Sequence, residues 1–241
     1  MKSIISDPHK DPLGAMMLDY LHGDYEVFAE VASTRFSMST MSAKTMFRTY
    51  AEMDELEREA LHLCRGTVLD VGAGSGCHSL CLQEQNVDVD ALDISPGCIK
   101  VMEKREVKNP IHNNLFSLES GNYTTILMLM NGLGICGSLD GLNLFLQHVR
   151  NLLAEDGQII ADSTDLRLLY NDEDEEDESF DDSDYGETEF IITYDTLVSV
   201  PFQWIYVGFP VLQMLAEYNG FECQQIATGQ NGHYLARMYR R

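Results

Sequence analysis

Asp70, glycines at 72, 74 and 76, and Asp93 are the first residues in this 241-residue chain whose types and spacing could hold a reactive molecule. The glycines follow a short apolar run, Val68-Leu69, and glycine lets backbone approach a ligand without an intervening Cβ. Their spacing departs from the G-x-G-x-x-G fingerprint of dinucleotide sites: the third glycine would fall on Cys77 counted from Gly72, and on Ser79 counted from Gly74. An acid ahead of the glycines would repel a diphosphate, yet it gains a charge-assisted hydrogen bond from an ammonium. Asp93 ends a second apolar run 17 residues past Gly76, where a carboxylate can accept both hydroxyls of a ribose. Singly, the glycines could serve only a tight turn and Asp93 only a helix cap. Jointly they describe a ribonucleoside with no phosphate and a cationic amino end, which S-adenosylmethionine matches.

These residues need strands that end together. A helix is predicted from Asp54 to Cys64, with Leu56, Ala60 and Leu63 on one face and Glu57 placed to complete a capping box with Asp54. Strands at Val68-Val71, Val87-Leu92, Ile111-Leu115, Thr125-Met130 and Gln158-Ala161 then alternate with helices at Gly76-Gln85, Pro96-Lys104 and Leu139-Leu153. A β-type run, FIITYDTLVSV, a helix from about Pro210 and a strand in HYLARMYRR close the chain. This alternation predicts an open, mostly parallel sheet covered by helices, with ligands at the carboxyl ends of its strands.

In that order, VLDVGAGSGCHSL, ALDIS, TILMLMNGLG and NLLAEDGQIIADS resemble the class I S-adenosylmethionine-dependent methyltransferases over residues 54–165. The resemblance implies an α/β, Rossmann-like, seven-stranded mostly parallel sheet with helices on both faces, plus an N-terminal helical lid. It divides the chain into an arm and lid, 1–53, and a methyltransferase domain, 54–241, carrying an acidic insertion at 171–189. By matching position it implies that Asp70, Gly72, Gly74 and Gly76 surround the methionine moiety and that Asp93 binds the ribose. Ile94 would pack on the adenine, with Asn114 and Leu115 at its edge. Asn114 stands where the family often has an Asp. Met130 and Asn131 would lie near the reacting methyl.

Methyl transfer from a sulfonium is an in-line displacement, so an enzyme acts mainly by positioning and needs no nucleophile of its own. The sequence singles out no catalytic residue. Asp162 and Asp165 stand at a strand end, and Trp204 and Tyr206 reach the acceptor only if PFQWIYVG folds back. His233, at the start of a terminal strand, could serve as a base, but a lone histidine there is more often a surface or packing residue, and His148 reads as structural. FRTYAEM has two readings: a lid placing Tyr50 or Arg48 over the cofactor, or an amphipathic helix with Met46, Phe47 and Tyr50 inward. Cys77, His78 and Cys81 lack further ligands at zinc-like spacing, so no metal is expected.

The net charge of −23 opposes nucleic acid and anionic membranes as partners. No apolar run is long enough to span a bilayer or serve as a signal peptide, and six cysteines without a C-x-x-C pair suggest reduced thiols in the cytoplasm. From Asp172 to Glu189 the chain carries 12 acids and no base, which could steer a cationic substrate. The expectation is therefore a cytoplasmic S-adenosylmethionine-dependent methyltransferase acting on a small molecule, with the acidic run favouring a cationic one. A protein or peptide methyltransferase and a non-catalytic cofactor-binding module are the alternatives. The acceptor atom and the oligomeric state stay open.

Overall fold

The structure, a computed structural model, describes residues 4–170 and 186–240. Most of the acidic run, 171–185, lies outside the described residues. The chain begins with α1 (Pro12–Leu21), β1 (Phe28–Ser33), β2 (Ser39–Ser42), the short α2 (Ala43–Met46) and α3 (Glu55–Leu63). Next come β3 (Thr67–Val71), α4 (Cys77–Glu84), β4 (Asp88–Asp93), α5 (Pro96–Lys104), β5 (Asn109–His112) and β6 (Tyr123–Met128). They are followed by α6 (Leu139–Val149), β7 (Leu153–Thr164), α7 (Arg167–Tyr170), β8 (Glu187–Tyr194), β9 (Leu197–Val198) and β10 (Phe202–Ile205). The chain closes with α8 (Phe209–Tyr218), β11 (Phe221–Thr228) and β12 (His233–Arg240).

Seven strands form the main sheet in the order β11-β12-β7-β6-β3-β4-β5. Neighbouring pairs from β5 to β7 are parallel, and β12 runs antiparallel to both of its neighbours. This is the expected Rossmann-like α/β sheet. Strand residues alternate faces, so two cores form. Leu69, Ile126, Met128 and Ile159 pack with Phe145 and Leu146 of α6 and Leu212 of α8. Val68, Leu127 and Ile160 pack with Leu56 and Leu61 of α3 and Leu82 of α4. The chain builds outward through β4 and β5, then returns to the other side of β3, so the order reverses between β3 and β6. The crevice outside their carboxyl ends is the place for a ligand. The third strand is Asn109–His112, where periodicity gave Ile111-Leu115, because Leu115 opens a buried 3-10 turn capped by Asn114.

The N-terminal part departs most from expectation. A helical lid was predicted, whereas residues 28–42 form two strands of a second sheet, ordered β10-β8-β1-β2 with β9 on β8, all antiparallel. Glu30 pairs with Thr193 and Phe202 with Phe190, so the first fifty residues share a sheet with residues after the acidic run. Met16 of α1, Ala29 and Ile192 form its small core. Several contacts tie this sheet to the main domain, two of them at Val207 and Trp204. The Val207 N–H donates to Ser163 Oγ at 3.0 Å, and the Trp204 indole lies so close on Gly134 that a Cβ there would fall inside the ring.

Asp11 holds the other side of the arm. Its buried carboxylate accepts the Gly14 N–H at 3.1 Å, capping α1, and the Gly97 N–H at 2.9 Å, capping α5. It also accepts the Ser95 hydroxyl at 2.7 Å. The two helix starts touch through glycine: a Cβ on Gly97 would strike Gly14 Cα. Both sets of orphan helix donors thus share one acid. We predict that Asp11→Ala lowers stability by about 2–4 kcal/mol, since buried donors lose their acceptor. Asp11→Asn, which keeps one acceptor oxygen, should lose about half as much. Urea unfolding measures both, and a loss below about 1 kcal/mol for the alanine variant would show that apolar packing alone holds the arm.

Candidate functional site

The glycine turn sits where the strand order reverses. Gly72, Gly74 and Gly76 have φ of +73°, +59° and +77°, the left-handed region where a Cβ is strained. The Gly72 and Ala73 N–H groups donate to Leu92 O at 2.9 and 3.1 Å, strapping the turn to the end of β4. A Cβ on Gly76 would lie 2.7 Å from Val107, so that residue is closed by packing. At Gly74 the nearest atom to such a Cβ is Met17 Cε at 3.8 Å, so this part of the turn is open toward the arm.

Asp93 locks the turn. Its Oδ2 accepts the Gly74 N–H and its Oδ1 the Ser95 N–H, both at 2.8 Å. Burial pushes its carboxyl up to about 6, against those two N–H donors and with the Asp11 and Asp70 charges adding to the rise. Each oxygen keeps a lone pair for a hydroxyl donor. Asp70 is buried beneath the turn, where its Oδ2 accepts the Ser79 hydroxyl at 2.6 Å, and burial raises its carboxyl above the ordinary value. Its first partner is therefore α4 rather than open solvent.

The remaining cofactor candidates separate. Ile94 is 41% exposed beside Asp93, and its carbonyl accepts from Ile5 N–H and His112. Asn114 turns its Oδ1 to the Phe116 N–H at 3.0 Å. Leu115 turns its side chain into the core, and His148 Nε2 meets its carbonyl at 3.1 Å, so it is the Leu115 backbone that lies at this edge. Tyr50 is exposed, with its backbone N–H against the Cys81 thiol, so it is not the inward helical residue. Instead Met46 and Phe47 close on the turn. The Ser75 hydroxyl donates to Met46 O, and Arg105 lies over the Phe47 ring at 4.9 Å.

Met130 and Asn131 follow β6 with φ of +65° and +56°, unusual for residues with side chains. Asp162, 1% exposed, holds that bend: its Oδ2 accepts Met130 N–H at 3.1 Å and its Oδ1 accepts Gly132 N–H at 2.9 Å. Thr164 Oγ1 donates to Asn131 Oδ1 at 2.7 Å. The sequence offered Asp162 as a substrate contact, but the carboxylate is sealed and acts on backbone. Trp204 and Tyr206 do come to this edge, Trp204 on Gly134 and Tyr206 with its ring edge against Phe36 at 5.7 Å. Asp165 binds Arg167 at 2.6 Å.

A buried polar chain not read from the sequence runs behind the turn. Glu57 accepts from Arg48 and from His78 Nε2 at 2.8 Å. Burial would raise the Glu57 carboxyl, but those hydrogen bonds outweigh it and bring it to about 2. Burial opposes the charged His78 ring, yet its Cys77 and Glu57 neighbours raise it well above the ordinary imidazole value. The capping-box spacing made Glu57 visible as a cap, whereas its partners come from elsewhere. No group of His, Cys, Asp or Glu among the described residues could hold a metal ion. A cavity of about 430 Å³ lies at the opposite sheet edge, between Arg65, Asp156, Arg237 and Arg240.

The donors and acceptors fit S-adenosylmethionine: an open glycine turn, a carboxylate with free lone pairs for ribose hydroxyls, and an exposed aliphatic side chain beside it for a purine. A protonated Asp93 would lose its acceptor role, so affinity for S-adenosylhomocysteine should be flat above pH 7. It should fall by about tenfold per unit below pH 6. Calorimetry between pH 5 and 8 measures this, and an Asp93→Asn variant without that dependence would confirm its source.

A crystal structure of an S-adenosylmethionine-dependent methyltransferase from Bacteroides fragilis, in complex with S-adenosyl-L-homocysteine, is similar to the whole molecule. It has a TM-score of 0.91 and 41% identity, and the match covers 100% of this chain and 99% of that one. The CcbJ methyltransferase from Streptomyces caelestis shares the fold at 15% identity and a TM-score of 0.61, over 80% of this chain and 92% of its own. The sugar N-methyltransferase KedS8 from Streptoalloteichus does so at 16% and 0.56, over 77% and 85%. No family model and no curated protein matches the sequence.

Proposed function

From the premise that the chain belongs to the S-adenosylmethionine-dependent methyltransferases, with S-adenosylmethionine as cofactor, we propose that it methylates a small molecule bearing a cationic amine. The observation that carries the proposal is the cover on the carboxyl edge. The second sheet is fastened over the bend after β6 by Trp204 on Gly134 and by Val207 on Ser163. A site roofed in this way suits a compact acceptor better than an extended chain. Acids supply the preference for a cation: the chain carries a net charge of −23, which draws cationic molecules toward it.

The bound cofactor supplies an electrophilic methyl on a sulfonium. Gly72 and Gly74 present backbone to its amino-acid end, with Asp70 setting a negative potential below them. Asp93 orients the ribose, and Ile94 flanks the adenine together with the Asn114 and Leu115 backbone. Met130 and Asn131 define where the acceptor stops, while Trp204 and Tyr206 wall the acceptor side and exclude water. Holding the partners in line in this manner can account for much of the rate. Six free cysteines, five of them buried, suit a reducing compartment, and no helix among the described residues is long and apolar enough to cross a membrane. We place the protein in the cytoplasm.

Calorimetric titration should show micromolar binding of S-adenosylmethionine and S-adenosylhomocysteine, none of NAD, and at least about tenfold weaker binding by Asp93→Ala. Methyl-labelled cofactor should then pass label to the small-molecule fraction of a cell extract. Label appearing only in the macromolecular fraction would favour a protein acceptor, and label in neither would favour a binding module.

A further inference from the structure

His233 is the side chain at the acceptor edge whose chemistry remains unused. The strand β12 runs antiparallel, so its first residue lies beside the carboxyl end of β7, where His233 pairs with Thr164. Asp162, diagonally opposite on the same face, receives His233 Nε2 at 2.8 Å. The same Oδ2 accepts the Met130 N–H at 3.1 Å. One buried carboxylate therefore fixes both the bend that faces the reacting methyl and the orientation of an imidazole.

The tautomer follows from this network. With Met130, Gly132 and His233 all bonded to it, Asp162 serves as an acceptor, so His233 carries hydrogen on Nε2. The neutral ring then has its lone pair on Nδ1, which makes no hydrogen bond among the described residues. His233 is 23% exposed at its side chain. It lines a cavity of about 300 Å³ together with Asp165, Phe209, Thr228 and Tyr234, large enough to admit a small amine. The charged groups facing it are Asp162 from β7, Asp54 and Glu57 from α3, and Asp165 after β7. Glu57 is shared with Arg48 and His78. The hydrogen bond to Asp162 raises the imidazole above its ordinary value, with burial opposing and the acids of α3 adding to the rise.

We propose that His233, oriented by Asp162, is the base that takes the proton from a protic methyl acceptor, and hence that the acceptor is a primary or secondary amine. The inference rests on the reading of the protein as a small-molecule methyltransferase. An ammonium reaching the cavity gives a proton to Nδ1, and its freed lone pair attacks the methyl carbon. The carbon–sulfur bond breaks with its electron pair staying on sulfur, which becomes the neutral thioether. The imidazolium releases its proton to solvent, which regenerates the base, and the methylated ammonium product leaves or gives a further proton to solvent. Asp162 is a positioning residue, since it stabilises the imidazolium without touching the acceptor.

The test uses the full chain with S-adenosylhomocysteine, and separately methyl-labelled S-adenosylmethionine with a panel of aliphatic primary amines. Long-range proton–nitrogen spectra of histidine-labelled protein, assigned with His233→Gln, should show the neutral ring protonated on Nε2. Its titration midpoint should drop by about one pH unit in Asp162→Asn. Glutamine can donate to Asp162 but cannot accept a proton, so His233→Gln should lower kcat by about 100-fold or more. KM and S-adenosylhomocysteine affinity should stay within about twofold, and the acid limb of the pH–rate profile should be absent. A ring protonated on Nδ1, turnover of His233→Gln within about threefold of wild type, or transfer confined to thioethers and tertiary amines would overturn the proposal. Failure of wild type to bind S-adenosylhomocysteine would instead overturn the functional reading beneath it.

Discussion

The two hydrogen bonds from Gly74 and Ser95 to the Asp93 carboxylate are the constraint on which the rest of the site depends. They fasten the turn after β3 to the end of β4, and they do so with a buried anion in a chain where acids outnumber bases 39 to 16. The arrangement costs stability. A carboxyl raised from its ordinary value to about 6 contributes most to stability when protonated. As pH rises through 6, roughly 3 kcal/mol of that contribution is lost. Hydroxyl donors from a bound ribose would offset part of it, which couples ligand binding to order in the turn.

Two further aspartates repeat the device. Asp11 gathers the starts of α1 and α5, and Asp162 gathers the bend after β6 and the ring of His233. In each case a buried carboxylate accepts backbone N–H groups that no regular strand or helix satisfies. Such groups are expensive to leave unpaired, and a charged acceptor meets two or three at once. The carboxyl edge is thus held by side-chain acceptors at its loops, while the sheet below is held by its own ladder. The Glu57 pair with Arg48 and His78 adds a fourth anchor behind the glycine turn, and its depressed carboxyl keeps it charged at all ordinary pH.

Much of the main sheet was legible because its signals are local. The apolar runs at Val68, Thr125 and Gln158 fall on β3, β6 and β7, and Gly72, Gly74 and Gly76 do sit in left-handed backbone. The second sheet was not legible. Residues 30–33 find their partners at 190–193, with the whole parallel sheet between them, and no local period encodes that pairing. The direction of the Leu115 side chain was not legible for a related reason: it turns into a core built by strands and helices distant in the chain. His233 could be read as a base in the sequence, but a histidine at a strand start is as readily a packing residue, and nothing local separates the two. Only the antiparallel return of β12 brings it to Asp162, 71 residues earlier.

The sequence by itself determined the strand-and-helix alternation, the glycine turn and the acid that follows it, because backbone conformation and face periodicity depend on near neighbours. It also determined the family, through motifs whose order can be read along the chain. Tertiary structure alone decided which acids bind backbone, how the N-terminal segment becomes part of a second sheet, and which imidazole meets which carboxylate. Those outcomes depend on burial and on partners distant in the chain, and both come into existence only when the strands are stacked.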